Sequence, residues 1–186
     1  MKTFNFKKNI GIFCGSKFGK NDIYKKETET IIKILIKHEF TIIYGGGKIG
    51  LMGIIYRTAI KFNGKIIGII PKSLNLKHIR QNDTKNLLVE ETISKRKNLM
   101  IQKSDILLIL PGAYGTLDEL FEVLTSNQLK ITKKPIIIIN ITDYWQPLKN
   151  LLNRISKEGF LSQKDLNNIH WINKPEELIN EIKTFI

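Results

Sequence analysis

The amino-acid sequence alternates short apolar runs with longer amphipathic stretches, and this alternation constrains the fold more than any other feature. Apolar runs predict strands at residues 10–13, 40–44, 65–70, 86–89, 105–110, 135–140 and 169–172. Amphipathic spacing predicts helices at residues 22–37, 51–62, 93–103, 115–129, 144–157 and 175–185. A chain that alternates strands and helices in this way forms a parallel sheet with helices on both faces. We therefore predict one α/β domain over residues 1–186.

Glycine-rich turns follow three of the predicted strands, after Phe13, Tyr44 and Leu110. In open parallel sheets, ligands bind outside the carboxyl ends of the strands. Because all three turns lie at such ends, they are the places where a binding site is expected.

The turn at residues 45–50 reads Gly-Gly-Gly-Lys-Ile-Gly and fits the dinucleotide pattern G-x-G-x-x-G. A dinucleotide site would need an acidic residue at the end of the next strand, where this chain has Ile70, Pro71 and Lys72. A contact from the backbone of Gly46 to a phosphate or ribose remains open. So does a purely structural turn that packs a helix against a strand.

The turn after Leu110 joins an apolar strand to a helix, an arrangement that suits a phosphate. Glycines allow close backbone approach, and the new helix offers free N–H groups and the positive end of its dipole. The candidate phosphate contacts are Gly112, Ala113, Tyr114, Gly115 and Thr116.

Glu119 has two interpretations, because Thr116 and Glu119 show the T-x-x-E spacing of a capping box. In the first, the two side chains cap the helix. In the second, Glu119 is a carboxylate one turn inside a phosphate-binding helix, within reach of the ribose carbon next to the phosphate.

Arginine is scarce in this basic chain, which has 30 Lys and Arg against 17 Asp and Glu, a net charge of +13. Arg96 is one of four arginines, and its planar hydrogen bonding suits a nucleotide in a way that lysine does not. Arg96 and its neighbour Lys97 are therefore candidate site residues. The alternative explanation of the charge, a nucleic-acid partner, is disfavoured because base-reading surfaces favour arginine.

Other classes of protein are poorly supported by the sequence. The single Cys14 excludes an internal disulfide framework, and no apolar run approaches the length of a membrane span. The three histidines are far apart, and no His/Cys cluster has metal-ligand spacing. We expect a cytoplasmic protein with no metal, no membrane partner and no nucleic-acid partner.

These motifs together resemble the LOG ("Lonely guy") family of cytokinin riboside 5′-monophosphate phosphoribohydrolases, often labelled lysine decarboxylases. The resemblance covers about residues 9 to 150. The matching motifs, in chain order, are Phe13-Cys14-Gly15-Ser16, Tyr44-Gly45-Gly46-Gly47, Gly50-Leu51-Met52-Gly53, Ile70-Pro71-Lys72-Ser73-Leu74, Arg96-Lys97, Pro111-Gly112 and Gly115-Thr116-x-x-Glu119. It implies a Rossmann-like doubly wound sheet and a homodimer or larger assembly.

The resemblance also implies hydrolysis of the N-glycosidic bond of AMP or N6-substituted AMP, giving a free base and ribose 5-phosphate without a cofactor. Arg96 and Glu119 would be the catalytic pair. The substrate contacts would be Lys97, residues 112–116, Thr125, Ser16 and Gly46.

Two departures from the family pattern affect these expectations. Ala113 stands where the family usually has glycine, so a positive φ there would cost about 1 kcal/mol, and the methyl group could crowd the phosphate. His78 stands near a position where the family often has an acid, and it is a candidate substrate contact. Both departures favour the alternative function, a nucleotide- or cofactor-binding carrier that does not hydrolyse its ligand.

Overall fold

The computed structural model of the protein describes residues 8–81 and 85–185. Seven strands form one parallel sheet: β1 Asn9–Phe13, β2 Thr41–Tyr44, β3 Ile66–Pro71, β4 Leu87–Glu90, β5 Ile106–Ile109, β6 Ile136–Ile139 and β7 Ile169–Ile172. Their order across the sheet is β4-β3-β2-β1-β5-β6-β7. Every predicted strand is confirmed to within one residue at each end, because each is a short apolar run between polar or glycine-rich segments.

The helices described are α1 Ile23–Lys37, α2 Gly50–Lys61, α3 Ile93–Lys103, α4 Tyr114–Gln128, α5 Gln146–Lys157, α6 Gln163–Asn167 and α7 Leu178–Lys183. Helix α6 was not predicted, since it is a single short turn that Ser162 caps by accepting a hydrogen bond from the Asp165 N–H. The prediction that α5 begins at Tyr144 was wrong by two residues. The Trp145 N–H is held by the Asn140 side chain at 2.7 Å, and a 3₁₀ turn over Ile141–Asp143 precedes the helix.

Helices cover both faces of the sheet, which confirms the doubly wound prediction. On one face, α1, α2 and α7 contribute buried residues such as Ile32, Ile55 and Leu178. On the other face, α3, α4 and α5 contribute buried residues such as Met100 and Leu120. The central strands β2, β1, β5 and β6 are almost wholly apolar and buried, as a sheet covered on both faces requires, whereas the edge strand β4 is partly exposed.

The strand order reverses between β1 and β5, so the connections from these two strands diverge to opposite faces of the sheet. Their carboxyl ends are tied together, because the Gly15 N–H donates to the Pro111 carbonyl at 2.9 Å. A crevice at such a reversal is the usual ligand position in an open α/β sheet. Among the described helices, none combines the length and apolar character that crossing a membrane requires.

Candidate active site

A cavity of about 620 Å³ opens at the carboxyl ends of the central strands, where the strand order reverses. Its lining includes most of the residues that the sequence singled out: Ser16, Arg96, Lys97, Gly112, Ala113, Tyr114, Gly115, Thr116 and Glu119. Residues predicted from three separate motifs are therefore brought together in one place.

The cavity wall includes an ion pair between Arg96 of α3 and Glu119 of α4. An Arg96 Nη1–H donates to Glu119 Oε1, and the side chains are only 14% and 8% exposed. The Arg96 Nε–H donates to the Ile69 carbonyl at the end of β3, at 3.2 Å. Burial raises the pKa of Glu119, while the positive charge of Arg96 opposes part of that rise. The pair therefore places a carboxylate and a guanidinium in direct contact at the cavity wall.

Gly45 makes room for the guanidinium. A Cβ on Gly45 would lie 2.1 Å from Arg96 Nη2 and 2.8 Å from Met52 Sδ. The first glycine of the turn after β2 is therefore required by the arginine beside it, and no phosphate need be invoked to explain it.

The first residues of α4, Tyr114, Gly115 and Thr116, line the same cavity. Ala113 is the N-cap residue, and no side chain caps the helix there. Thr116 lies inside the first turn and is buried, so the capping-box interpretation of Thr116 and Glu119 is wrong. It failed because the helix begins at Tyr114, which places Thr116 past the capping position, and Glu119 pairs with Arg96 instead.

Ala113 has φ −119° and ψ −147°, so the positive φ considered for this position does not occur. The methyl group therefore carries no left-handed strain. Gly112 is the more restricted residue of the loop, since a Cβ there would lie 2.0 Å from Thr116 Oγ1 and 3.0 Å from the Gly15 nitrogen.

Lys97 lines the cavity, but its ammonium group is already paired. Its Nζ lies 2.8 Å from Asp118 Oδ2 and 2.6 Å from Glu122 Oε2, both on α4. Burial alone would lower the pKa of Lys97, and the hydrogen bonds with the two carboxylates outweigh that effect and raise it. Lys97 thus joins α3 to α4 beside the Arg96–Glu119 pair, and the sequence does not indicate its two acidic partners.

Three predicted contacts lie outside the cavity lining. Gly46 is buried at φ +70°, and its carbonyl accepts from the Gln81 N–H at 2.8 Å. His78 has an exposed side chain, and Thr125 lies farther along α4 against a smaller cavity of about 180 Å³. Their roles as substrate contacts stay predictions.

Tyr144 is a cavity residue that the sequence reasoning missed. Its hydroxyl donates to the Gly112 carbonyl at 2.5 Å, and its ring meets the ring of Tyr24 edge-on. Its place just beyond the carboxyl end of β6 was the available signal. Cys14 also lines the cavity, and burial together with the Glu119 charge raises the pKa of its thiol, so it is not a ready nucleophile.

Solved structures of the same fold include two molybdenum cofactor proteins. One is the molybdenum cofactor binding protein from Rippkaea orientalis, which is 22% identical, covers 96% of this chain and 97% of its own, and has a TM-score of 0.71. The other is the molybdenum cofactor carrier protein from Chlamydomonas reinhardtii, which is 16% identical over 97% of this chain and 98% of its own, with a TM-score of 0.72. At these identities the likeness establishes the shared fold.

Sequence relatives are more specific. A family model described as possible lysine decarboxylase matches residues 52–182. A probable cytokinin riboside 5′-monophosphate phosphoribohydrolase from Oryza sativa subsp. japonica is 33% identical over 96% of this chain and 73% of its own length. A cytokinin riboside 5′-monophosphate phosphoribohydrolase from Arabidopsis thaliana is 33% identical over 96% of this chain and 84% of its own. With this family match and these identities over nearly its whole length, the chain belongs to the LOG family of phosphoribohydrolases.

Proposed function

We propose that this protein hydrolyses the N-glycosidic bond of nucleoside 5′-monophosphates to a free base and ribose 5-phosphate. The observation that carries the proposal is the buried Arg96–Glu119 pair, which stands one helical turn from an uncapped helix N-terminus in the same cavity. The sequence relatives named as phosphoribohydrolases support the same reaction.

The substrate phosphate would bind at the start of α4. The N–H groups of the first turn have no partner within a helix, and the helix dipole favours an anion there. Thr116 adds a hydroxyl beside Gly112. Binding energy from the phosphate would thus hold the ribose against Glu119, whose position is fixed by the same helix.

Cleavage of the N-glycosidic bond develops positive charge on the ribose ring, as in glycoside hydrolysis. The Glu119 carboxylate would stabilise that charge and orient a water molecule toward the anomeric carbon. Water supplies the hydroxyl group to the ribose and a proton to the departing base, which balances the reaction. Arg96 would hold Glu119 in place and contact the substrate.

Adenine release from AMP tests the proposal directly. The wild-type protein should release adenine, while Glu119→Gln should lower the rate by about 10³-fold or more, because it removes the charge that stabilises the transition state. AMP should still bind this variant, since the α4 N-terminus is unchanged. Glu158→Gln is the matched control, because Glu158 lies in an exposed ion pair with Arg154 on α5.

The same assay separates the two candidate functions. AMP binding without adenine release by the wild-type protein would favour a carrier, and wild-type turnover by Glu119→Gln would remove Glu119 from the reaction. A panel of AMP and N6-substituted AMP read by base release would define the substrate.

For the expected homodimer or larger assembly, the exposed Phe121 and Phe160 beside the smaller cavity offer an apolar surface.

A further inference from the structure

Two carbonyl groups in the loop before α4 are bound by donors from outside that loop. The Pro111 carbonyl accepts from the Gly15 N–H at 2.9 Å, and the Gly112 carbonyl accepts from the Tyr144 hydroxyl at 2.5 Å. Gly15 follows β1, and Tyr144 follows β6, so the strands on both sides of β5 contribute one donor each.

This arrangement matters for an anion, because a backbone loop binds a phosphate through its N–H groups and repels it through its carbonyl oxygens. A peptide group whose carbonyl is already hydrogen-bonded has its orientation fixed before the ligand arrives. Without these hydrogen bonds, the loop would become ordered only when the ligand binds, and that ordering would weaken binding.

The position of Tyr144 is itself strongly specified. Its ring lies edge-on to Tyr24, with centroids 5.7 Å apart, and edge-on to Trp145 at 4.8 Å. The turn before it places Thr142 and Asp143 in the left-handed region, at φ 49° and 57°. Non-glycine residues adopt that region at a conformational cost, and such costs are concentrated at functional sites.

We propose that Tyr144 is a positioning residue for the substrate phosphate, acting through the Gly112 carbonyl. The inference rests on the proposed function for the identity of the ligand, a nucleoside 5′-monophosphate. Burial raises the pKa of the Tyr144 hydroxyl, with Tyr24 adding to the effect, so the group stays a hydrogen-bond donor in neutral solution.

Tyr144→Phe tests the proposal, because it removes the hydroxyl and keeps the ring. Dissociation constants for ribose 5-phosphate and adenosine are measured by calorimetry on the wild-type and variant proteins, and the constant for AMP is measured on the same two proteins carrying Glu119→Gln, which prevents turnover. We expect AMP and ribose 5-phosphate to bind the variant about 5- to 10-fold more weakly, the effect of one neutral hydrogen bond. Adenosine, which has no phosphate, should bind within about twofold of the wild type on the same reasoning.

Leu152→Val is the control for a merely structural effect. Leu152 is a buried core residue of α5, the helix that follows Tyr144, and this substitution lowers stability without touching the loop. It should lower the melting temperature and leave the ratio of AMP to adenosine affinity at the wild-type value.

Equal weakening of AMP and adenosine by Tyr144→Phe, or no weakening of either, would overturn the proposal. So would a wild-type protein that binds neither AMP nor ribose 5-phosphate. Failure of the proposed function is a different result: the wild-type protein would bind AMP and release no adenine, and the effect of Tyr144→Phe on phosphate binding would remain measurable.

Discussion

The turn after β2 and the turn after β5 look alike in sequence. Each joins a buried strand to a helix through consecutive small residues, at residues 45–50 and 111–116. In the structure, the glycines of the first turn leave space for the Arg96 side chain and the Ser16 backbone. The second turn leads into the N-terminus of α4, where the first N–H groups have no partner within the helix. A glycine-rich turn at a strand end therefore does not by itself identify an anion site.

The turn after β2 is filled by neighbouring residues. Gly45 faces the Arg96 guanidinium, and Gly50, at φ +60°, lies so close to Ser16 that a Cβ would be 2.2 Å from its carbonyl carbon. The Gly46 carbonyl is bound by the Gln81 N–H, and the Lys48 N–H is bound by the Ile79 carbonyl. Gly45 and Gly47 line the cavity, and Gly45 also leaves the space that the Arg96 guanidinium occupies.

The turn after β5 needs no left-handed residue, since the non-glycine and glycine residues with positive φ in the described chain do not include 111–116. Its special requirement is at Gly112, which packs against Thr116 and the start of the β1 turn. We therefore expect crowding substitutions in the first turn to impair the reaction, and crowding substitutions in the second to impair phosphate binding.

Gly45→Ala should have the largest effect. The added methyl group overlaps Arg96 Nη2, which lies at the end of a flexible side chain, so the arginine can move while the fold is retained. Displacing a catalytic group by about 1 Å can cost about 100-fold in rate. We expect kcat for adenine release from AMP to fall about 100-fold, with the dissociation constant for ribose 5-phosphate within about threefold of the wild type.

Gly53→Ala is a poor control for that variant, because its methyl group would lie 2.3 Å from the Lys48 carbonyl oxygen. The methyl group of Gly159→Ala would meet nothing within 4 Å. Gly159 has φ +84°, so this control strains the backbone far from the cavity and reports the effect of lost stability alone. A Gly45→Ala protein that loses ribose 5-phosphate binding as severely as turnover would show that the turn after β2 holds the phosphate too.

Gly112→Ala should have the next largest effect, and on the other quantity. The methyl group would meet Thr116, which is buried, and the backbone nitrogen of Gly15, so the loop must shift. Losing one hydrogen bond to a charged phosphate weakens binding about 10-fold or more. Calorimetry with ribose 5-phosphate should show that loss, together with a lower melting temperature. Unchanged affinity would contradict the assignment of the second turn to phosphate.

The fold was largely predictable because apolar runs and glycine turns mark strands wherever the sheet is buried on both faces. Arg96 was singled out by the scarcity of arginine, and Glu119 by its place in the helix after the turn that follows Leu110. Local signals could not reveal that the two side chains form an ion pair, because the residues are 23 positions apart and meet only when α3 and α4 pack together. The pairing of Lys97 with Asp118 and Glu122 was hidden for the same reason.

Helix starts were placed less accurately than strands: α5 begins two residues after the predicted Tyr144, and α4 begins one residue before the predicted Gly115. The capping-box interpretation would need Thr116 as N-cap and a helix that begins at Leu117, whereas α4 begins at Tyr114, with Ala113 as N-cap. Tyr144 was missed because nothing in residues 140–146 signals a hydrogen bond to Gly112, 32 residues earlier in the chain.

Ala113→Gly should have the smallest effect and is the sharpest check on the second turn. The backbone of Ala113 is at φ −119°, so glycine relieves no left-handed strain. Glycine instead adds freedom to the unfolded chain and costs about 0.5–1 kcal/mol, which lowers the melting temperature by about 1–4 °C. The KM for AMP should stay within about twofold of the wild type, because the first-turn N–H groups keep their places. A gain of 10-fold or more in AMP affinity would instead show that the alanine methyl group crowds the phosphate. The departure from the family's glycine would then weaken ligand binding.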